Sequence, residues 1–533
     1  MKIMCKYITI SFISSMMLVL AAPPYDLWPL ALTGLIPILI CMRQLPPIYA
    51  AGITGLTFFF AIFMCTSWWI PVLNRFAHLS ILTSFCIAVC ICLYQSIAYG
   101  VWGYVCCFLK KRYQMHWMIS APLFIVFAET LLPFMFKIYL SITVWRAWPL
   151  TQIAEIGGPP AVSGVIVLIN LILLETYLYF KGKPASVKAI KVGCISLLVI
   201  MFFGYYRANH IGCVIDNQEL TVGLIQPNFG IVTIQQRNQN GSNYLDVLRK
   251  ASQSLKNENV DLIVWPESSW PYLFDRTLKK DYPDGHPWKL LHNHNARLFF
   301  GCLSHTFGTS FVHNSSVLIS KNGDISGIAD KNRLIPFAET IPFANTFQSI
   351  AKKWQNQIPE WPEIARGNTS KLLEDGPLKI AALICSEDLH MTDTHKIARQ
   401  DSNLLISVVN DAWFKDSAAA YQHLALASFR AIETRRYLVR GTNTGVSAII
   451  DALGRVQVEG SLINASDNKY HPADIYVGQV SLIQNFAAAP YTALFFPYVC
   501  LAVMIALIIP VQDQYIYHRS YALFKKINKF RRI

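Results

Sequence analysis

Three short segments of this 533-residue chain carry side chains that together can activate and acylate a thiol. The first is Val264-Trp265-Pro266-Glu267-Ser268, a carboxylate just past an apolar run and held behind a proline. The second is Asp330-Lys331-Asn332-Arg333-Leu334-Ile335-Pro336-Phe337-Ala338-Glu339. The third is Leu383-Ile384-Cys385-Ser386-Glu387-Asp388, a thiol at the end of another apolar run. A free thiol titrates near about 8.5, so a nucleophilic Cys385 needs a base or positive surroundings. Glu267 is the candidate base, provided that burial raises its own pKa. Lys331 is the candidate to stabilise the thiolate and then a tetrahedral oxyanion, together with the backbone N–H after Cys385. Glu339 and Glu387 are candidates to hold Lys331 or to orient an incoming nucleophile. Each residue alone also has an ordinary explanation: a solvated loop carboxylate, half of a weak surface ion pair, or an inert core cysteine. The order Glu, Lys, Cys in three such settings outweighs those explanations.

Such residues need rigid elements behind them, and the region 211–485 reads as an α/β domain that supplies them. Apolar runs at 220–225, 262–265, 298–302, 380–385 and 404–409 are bounded by polar or turn residues, as buried strands are. Lys321-Asn322-Gly323-Asp324 and Ala452-Leu453-Gly454 are hairpin turns by composition, and 418–437 has helical periodicity. The three candidate groups therefore fall at strand ends, where α/β sheets present ligands and reactive groups.

The rest of the chain reads as membrane. Hydrophobic residues make up 53% of the chain and charged residues 15%, with a mean hydropathy of +0.35. Soluble chains carry about a quarter charged residues. The net charge of +14 lies beside apolar segments, as at Lys110-Lys111-Arg112 and in the tail from Arg519 to Arg532. With no motif that reads bases, this excludes a nucleic-acid partner. Apolar segments at 7–22, 28–42, 49–69, 80–109, 117–136, 162–180 and 190–206 are expected to span a bilayer, with an eighth at 492–511. Ala21-Ala22 resembles a processing site, but a second span follows almost at once, so the first is expected to stay. Placing Lys2 and Lys6 inside puts Arg43, Lys110–Arg112 and the lysines at 181, 183, 188 and 191 on the same side. Seven crossings then put the α/β domain outside, and the eighth returns the basic tail. The expected organisation is a transmembrane domain at 1–210, an extracytoplasmic catalytic domain at 211–485, and a final span with a basic tail at 486–533. Most of the 13 cysteines lie in apolar runs and have no metal-site spacing, so neither a disulfide framework nor a metal is expected.

The Glu–Lys–Cys order resembles the nitrilase (carbon–nitrogen hydrolase) superfamily. With seven spans before the domain and one after, the chain is similar to the membrane-embedded branch of that superfamily, the apolipoprotein N-acyltransferases. Further matches are Gln226-Pro227-Asn228, Asn410-Asp411-Ala412-Trp413-Phe414, Tyr421-Gln422-His423, Phe429-Arg430-Ala431-Ile432-Glu433-Thr434 and Arg440-Gly441-Thr442-Asn443-Thr444-Gly445. The resemblance implies an α-β-β-α sandwich with Glu267 as general base and acid, Lys331 as oxyanion stabiliser and Cys385 as acylated nucleophile. Glu339 and Glu387 match the supporting carboxylates, and Trp413 sits in the motif that lines the pocket. Ser386 stands where the family usually has Tyr, Ala418-Ala419-Ala420 where it usually has Gly-Pro, and Glu129 lacks the Arg that commonly follows it.

The resemblance implies a ping-pong reaction in a bacterial inner membrane, on its periplasmic side. Cys385 takes an acyl group from a glycerophospholipid and passes it to the N-terminal amine of an S-diacylglyceryl-cysteine lipoprotein, with no cofactor. Two features are read as serving that lipid chemistry. The segment 341–377, with Phe343, Phe347, Trp354, Trp361, Lys352 and Lys353, suits a lid resting on a bilayer. Glu129 and Glu175 lie in apolar spans, where a carboxylate is functional or paired between helices. The alternatives are a membrane-tethered amidase with water as acceptor, and a transporter or scaffold with a degenerate domain. The intact Glu267, Lys331 and Cys385 argue against the last.

Overall fold

The computed structural model describes residues 2–76, 79–132, 138–213, 219–230, 234–291, 295–306, 308, 311–336, 339–340, 349, 364–368, 372–462, 473–484 and 487–509. The lid expected at 341–377 lies outside these residues except at 349, 364–368 and 372–377, and the basic tail from Arg519 to Arg532 lies wholly outside them. The chain divides into two units, Met1–Tyr206 with Thr492–Ile533, and Arg207–Tyr491.

The first unit is helical. Its helices are α1 (Lys2–Ala21), α2 (Ile36–Met42), α3 (Pro47–Thr66), α4 (Trp69–Phe76), α5 (Ile81–Tyr113), α6 (Trp117–Leu131), α7 (Trp148–Thr151), α8 (Ala154–Phe180) and α9 (Val187–Cys213). Among the described residues, four segments are long and apolar enough to cross a membrane: Pro47–Thr66, Ile81–Tyr113, Ala154–Phe180 and Val187–Ile211. The other four expected spans coincide with the shorter apolar helices Cys5–Ala21, Trp28–Met42, Trp117–Leu131 and Phe496–Ile509. The segment at 28–42 is broken into a 3-10 turn, Trp28–Leu32, and α2, because Pro29 and Pro37 each withhold a helix donor.

Local chemistry explains the remaining helix ends and contacts. Ser80 caps α5 by accepting from the Thr83 N–H at 3.1 Å. Lys110, Lys111 and Arg112 fill the last turn of α5, where cations suit the helix dipole. Helices α3 and α5 pack through small residues: a Cβ at Gly103 would lie 2.9 Å from the Ala50 carbonyl oxygen. The two apolar-segment carboxylates are paired. Glu129 accepts from Tyr99 Oη (3.0 Å) and the Leu140 N–H (2.7 Å), and Glu175 pairs with Arg43 at 2.6 Å.

The second unit is two sheets face to face. One has strands β1 (Glu219–Gln226), β2 (Leu262–Val264), β3 (Leu273–Asp275), β4 (Arg297–His305), β5 (Val312–Ile319), β6 (Ile325–Asp330) and β13 (Asp474–Ser481), in the order β13-β1-β2-β4-β5-β6 with β3 beside β4. The other is β12-β11-β10-β9-β8-β7, made of β7 (Leu372–Asp375), β8 (Leu378–Ile384), β9 (Leu404–Val409), β10 (Leu438–Thr442), β11 (Ala448–Ile450) and β12 (Val456–Glu459). Alternate residues meet between the sheets: Val222 and Leu224, Leu262 and Val264, Ile380, Ala382 and Ile384, and Leu404, Ile406 and Val408 are all buried in one core. Burying each such Val, Leu or Ile contributes roughly 1.5–3 kcal/mol. The opposite face of the first sheet packs Ile263, Trp265 and Phe300 against Leu245, Leu248 and Ala251 of α10 (Ile234–Ser254). With α11 (Met391–Ala398) and α12 (Ala418–Thr434) in the second half, the unit is the expected nitrilase-like α/β sandwich.

The five strands expected from apolar runs are β1, β2, β4, β8 and β9, and both expected hairpin turns stand, with Gly323 at φ 82° and Gly454 at φ 78°. The antiparallel flanks were not apparent in the sequence. Val456–Glu459 alternates half-buried and exposed residues, and β5 and β6 interrupt their apolar residues with His313-Asn314-Ser315-Ser316 and Ser326-Gly327, so these strands give no continuous apolar run. Cys385 was expected to end its strand; β8 stops one residue earlier, at Ile384, and the cysteine turns away at φ 54°.

Candidate functional site

The loop that carries Glu267 is shaped by one glycine. After β2, the Gly301 N–H donates to the Pro266 carbonyl (3.1 Å), and the N–H groups of Ser269 and Trp270 donate back to the Gly301 carbonyl. A Cβ at Gly301 would lie 2.6 Å from Glu267 Cα and 2.9 Å from the Pro266 oxygen, so only glycine lets β4 approach this closely. Because the obstacle is backbone, Gly301→Ala is expected to push the Glu267 loop away. It should cost about 1–3 kcal/mol of stability, together with most of the activity. Thermal melting and acylation assays on the purified variant check this, and wild-type values in both would refute it.

Lys331 follows β6 and is fully buried. Its backbone N–H continues the ladder to the Asn314 carbonyl at 2.8 Å. Its Nζ lies 2.8 Å from Glu339 Oε1 and 3.8 Å from Glu267 Oε1. Behind it, Asp330 accepts from Arg276 (2.6 and 3.0 Å) and from Ser315 Oγ (2.7 Å). Burial alone would raise the Asp330 carboxyl, but these donors hold it below the usual range.

Cys385 opens the 3-10 turn Cys385–Leu389 in the left-handed region, which non-glycine residues avoid unless held there. Glu387 does the holding. Its Oε2 accepts from the Ile384 N–H at 2.9 Å, and its Oε1 from the N–H groups of Asn332 (2.6 Å) and Arg333 (3.2 Å). It thus joins the thiol's turn to the segment of Lys331 through backbone donors, while Glu339 is the carboxylate that bonds the Lys331 ammonium. Burial pushes the Glu387 carboxyl up to about 7 against the pull of those donors.

The three predicted groups come together. The Glu267 carboxylate lies close enough to the Cys385 thiol for its charge to act on it, and it accepts from Asn314 Nδ2 at 2.8 Å. Burial raises Glu267 above the ordinary carboxylate range, with Lys331 pulling the other way. Burial and the Glu267 charge push the Cys385 thiol well up, so the resting thiol is protonated. Burial opposes the Lys331 charge, but Cys385, Glu339 and Glu267 together hold its ammonium protonated well above the usual range. A protonated thiol, a carboxylate of raised pKa near it and a permanently charged ammonium can perform thiol acylation and deacylation.

Trp413 is 43% exposed, so it is not a core aromatic. Asn314 was missed by sequence reasoning. Its amide bridges Glu267 and Glu339, and it stands in a polar run, His313-Asn314-Ser315-Ser316, that gave no signal of its own. Asp388, Asp411, His423 and Arg440 were visible only as sequence motifs or neighbours of Cys385, and they form a buried cluster. Among the described residues no group of His, Cys, Asp and Glu is arranged to hold a metal ion.

Residues 222–463 match the family model described as carbon-nitrogen hydrolase, and residues 14–172 match that of the apolipoprotein N-acyltransferase N-terminal domain. Apolipoprotein N-acyltransferase of Geobacter metallireducens is 28% identical over 487 residues, covering 84% of this chain and 85% of that protein. The protein of the same name from Pseudomonas putida is 25% identical over 463 residues, covering 83% and 85%. Among solved structures, Saccharomyces cerevisiae Nit3 of the nitrilase superfamily aligns with 50% of this chain and 90% of its own, at 15% identity and a TM-score of 0.34.

Proposed function

Because this chain belongs to the apolipoprotein N-acyltransferase family and is an acyltransferase of lipoproteins, we propose that it works through a thioester on Cys385. Glu267 takes the thiol proton as Sγ attacks the ester carbonyl of a glycerophospholipid. The developing oxyanion is met by Lys331 and the N–H of Ser386. Collapse breaks the ester C–O bond, Glu267 returns the proton to the leaving glyceryl oxygen, and lysophospholipid departs. The α-amine of an S-diacylglyceryl cysteine then attacks the thioester carbonyl. Glu267 accepts the amine's proton and hands it back to the departing sulfur, leaving an N-acyl amide. Trp413 lines the pocket, and Glu339 and Glu387 keep Lys331 and the Cys385 turn in place. No cofactor takes part.

The observation that carries this reading is the buried Lys331 ammonium 3.8 Å from Glu267, with both close enough to act on the Cys385 thiol, in a chain whose described residues include four membrane-length apolar helices. The eight apolar segments are read as eight spans of the bacterial inner membrane, with the α/β domain on the periplasmic side. The alternation of Lys and Arg between loops supports that orientation. The test supplies acyl-labelled phospholipid and a diacylated lipopeptide to the protein in sealed vesicles of either orientation. Label is expected on the lipopeptide amine, and only when the peptide reaches the periplasmic face. Release of free fatty acid regardless of acceptor, ammonia from small amides, or transfer from the cytoplasmic face would overturn the reading.

A further inference from the structure

Four charged side chains close into a ring behind the nucleophile. His423 Nε2 lies 2.7 Å from Asp388 Oδ1, and its Nδ1 lies 3.0 Å from Asp411 Oδ1. Arg440 completes the circle from the other side, with Nη1 3.2 Å from Asp388 Oδ2 and Nη2 2.9 Å from Asp411 Oδ2. Ser407 Oγ adds a bond to Asp388 Oδ2 at 2.7 Å. All five residues are buried.

With both carboxylates ionised beside Arg440, the geometry sets the charge of this ring. Ionised carboxylates only accept, so a histidine with a carboxylate oxygen on each ring nitrogen needs both N–H groups. His423 is therefore an imidazolium, and two cations balance two anions with little net charge left in the interior. Burial and Arg440 work against that cation, yet Asp388 and Asp411 raise its pKa to about 9.

The ring's members belong to the loops that build the site. Asp388 lies in the 3-10 turn that begins with Cys385, and Asp411 begins the 3-10 turn Asp411–Phe414 that carries Trp413. His423 comes from α12, Arg440 from β10 and Ser407 from β9. A Cβ at Gly445 would lie 2.7 Å from Asp411 Oδ2, so the following loop is also shut against the ring. The Asp411 charge lies close enough to the sulfur to raise the Cys385 thiol.

We propose that His423 is a positioning residue for the nucleophile: as the cation of a closed His–Asp–Arg–Asp ring it clamps the Cys385 turn to the Trp413 turn and screens the thiol from both aspartates. Arg440 alone cannot do this, because it would leave one buried negative charge beside the sulfur. The inference rests on reading Cys385 as the acylated thiol, and the test separates the two.

Full-length wild type, H423N, D388N and the H423N/D388N pair are compared in two assays. One is acyl-enzyme formation at Cys385 from phospholipid alone, and the other is the pH profile of Cys385 alkylation by iodoacetamide, resolved by peptide mass. H423N is expected to slow acylation by about 10²-fold, as a lost supporting contact or a small displacement of the sulfur does. The phospholipid KM should change little, and Cys385 alkylation should move to higher pH. Adding D388N removes the unbalanced carboxylate and is expected to recover at least about tenfold, because groups in one network are not additive. Wild-type rates in H423N, or losses that simply add in the pair, would overturn the clamp. If H423N does not fold, D388N decides alone. Its amide cannot accept from both His423 and Arg440, so wild-type acylation and alkylation profiles there would be equally fatal. Absence of acyl groups on Cys385 in the wild type would sink the thioester itself, while the alkylation profiles would still report on the clamp.

Discussion

Replacing Cys385 with alanine is expected to abolish acyl transfer to background while leaving a folded protein that melts within a few degrees of wild type. The thiol supplies the bond that is acylated, and no general-base or oxyanion contribution survives its loss. Alanine fits the same space and occupies the left-handed position no worse than cysteine does. Mass spectrometry of the wild type given phospholipid and no acceptor is expected to find one fatty acyl group, labile to hydroxylamine, on Cys385. The contrast with Cys302 makes the result specific. Cys302 is also a free thiol, but it is completely buried in β4, and burial pushes its pKa far up without a hydrogen-bonded base. An acyl group on Cys302 or on Ser386, or activity in the alanine variant, would refute the assignment.

Lys331→Met is expected to lower acylation by about 10²–10³-fold, the effect of losing one preorganised oxyanion donor. It should also destabilise the α/β domain by about 3–5 kcal/mol, since removing one partner of a buried pair strands the other charges. Here the stranded groups are Glu267 and Glu339, which share the Asn314 amide and lose the ammonium between them. Without the cation the Glu267 carboxyl, already raised by burial, loses the charge that pulls it down and rises further, so the folded variant holds more protons than its unfolded chain between the unfolded and folded values. Its stability then grows as pH falls through the raised folded pKa toward about 4.3, more steeply than in wild type. Thermal melts from pH 8 down to pH 5 read this directly. A flat profile, or full acylation activity, would mean that Lys331 is not the group that balances the site.

Much of the site was legible because its chemistry is local. Glu267 after Trp265-Pro266, Lys331 at the end of β6 and Cys385 at the end of β8 are each marked by an apolar run that must stop. A strand end is recognisable from one short window. Glu339 was legible for the same reason, lying eight residues beyond the lysine it bonds, within one loop. The helical segments were legible from hydropathy, whereas the break at 28–42 depended on where two prolines remove donors.

What the sequence determined by itself is therefore the set of groups and their order: a carboxylate, an ammonium and a thiol at three strand ends, in a chain rich in apolar segments. Only the tertiary structure decided their charges and conformation, since both depend on burial and on partners distant in sequence. Glu267 is raised because the folded domain excludes water from it, and Lys331 stays charged because residues from two other segments face it. Glu387 looked like a partner for Lys331 but is spent on three backbone N–H groups that join the nucleophile turn to the lysine loop. The ring of Asp388, Asp411, His423 and Arg440 spans 52 residues of sequence between its ends, and no local pattern shows that four such charges will cancel. Pairing across the fold supplies that information, and it is what turns Cys385 from an apolar-run cysteine into a positioned thiol.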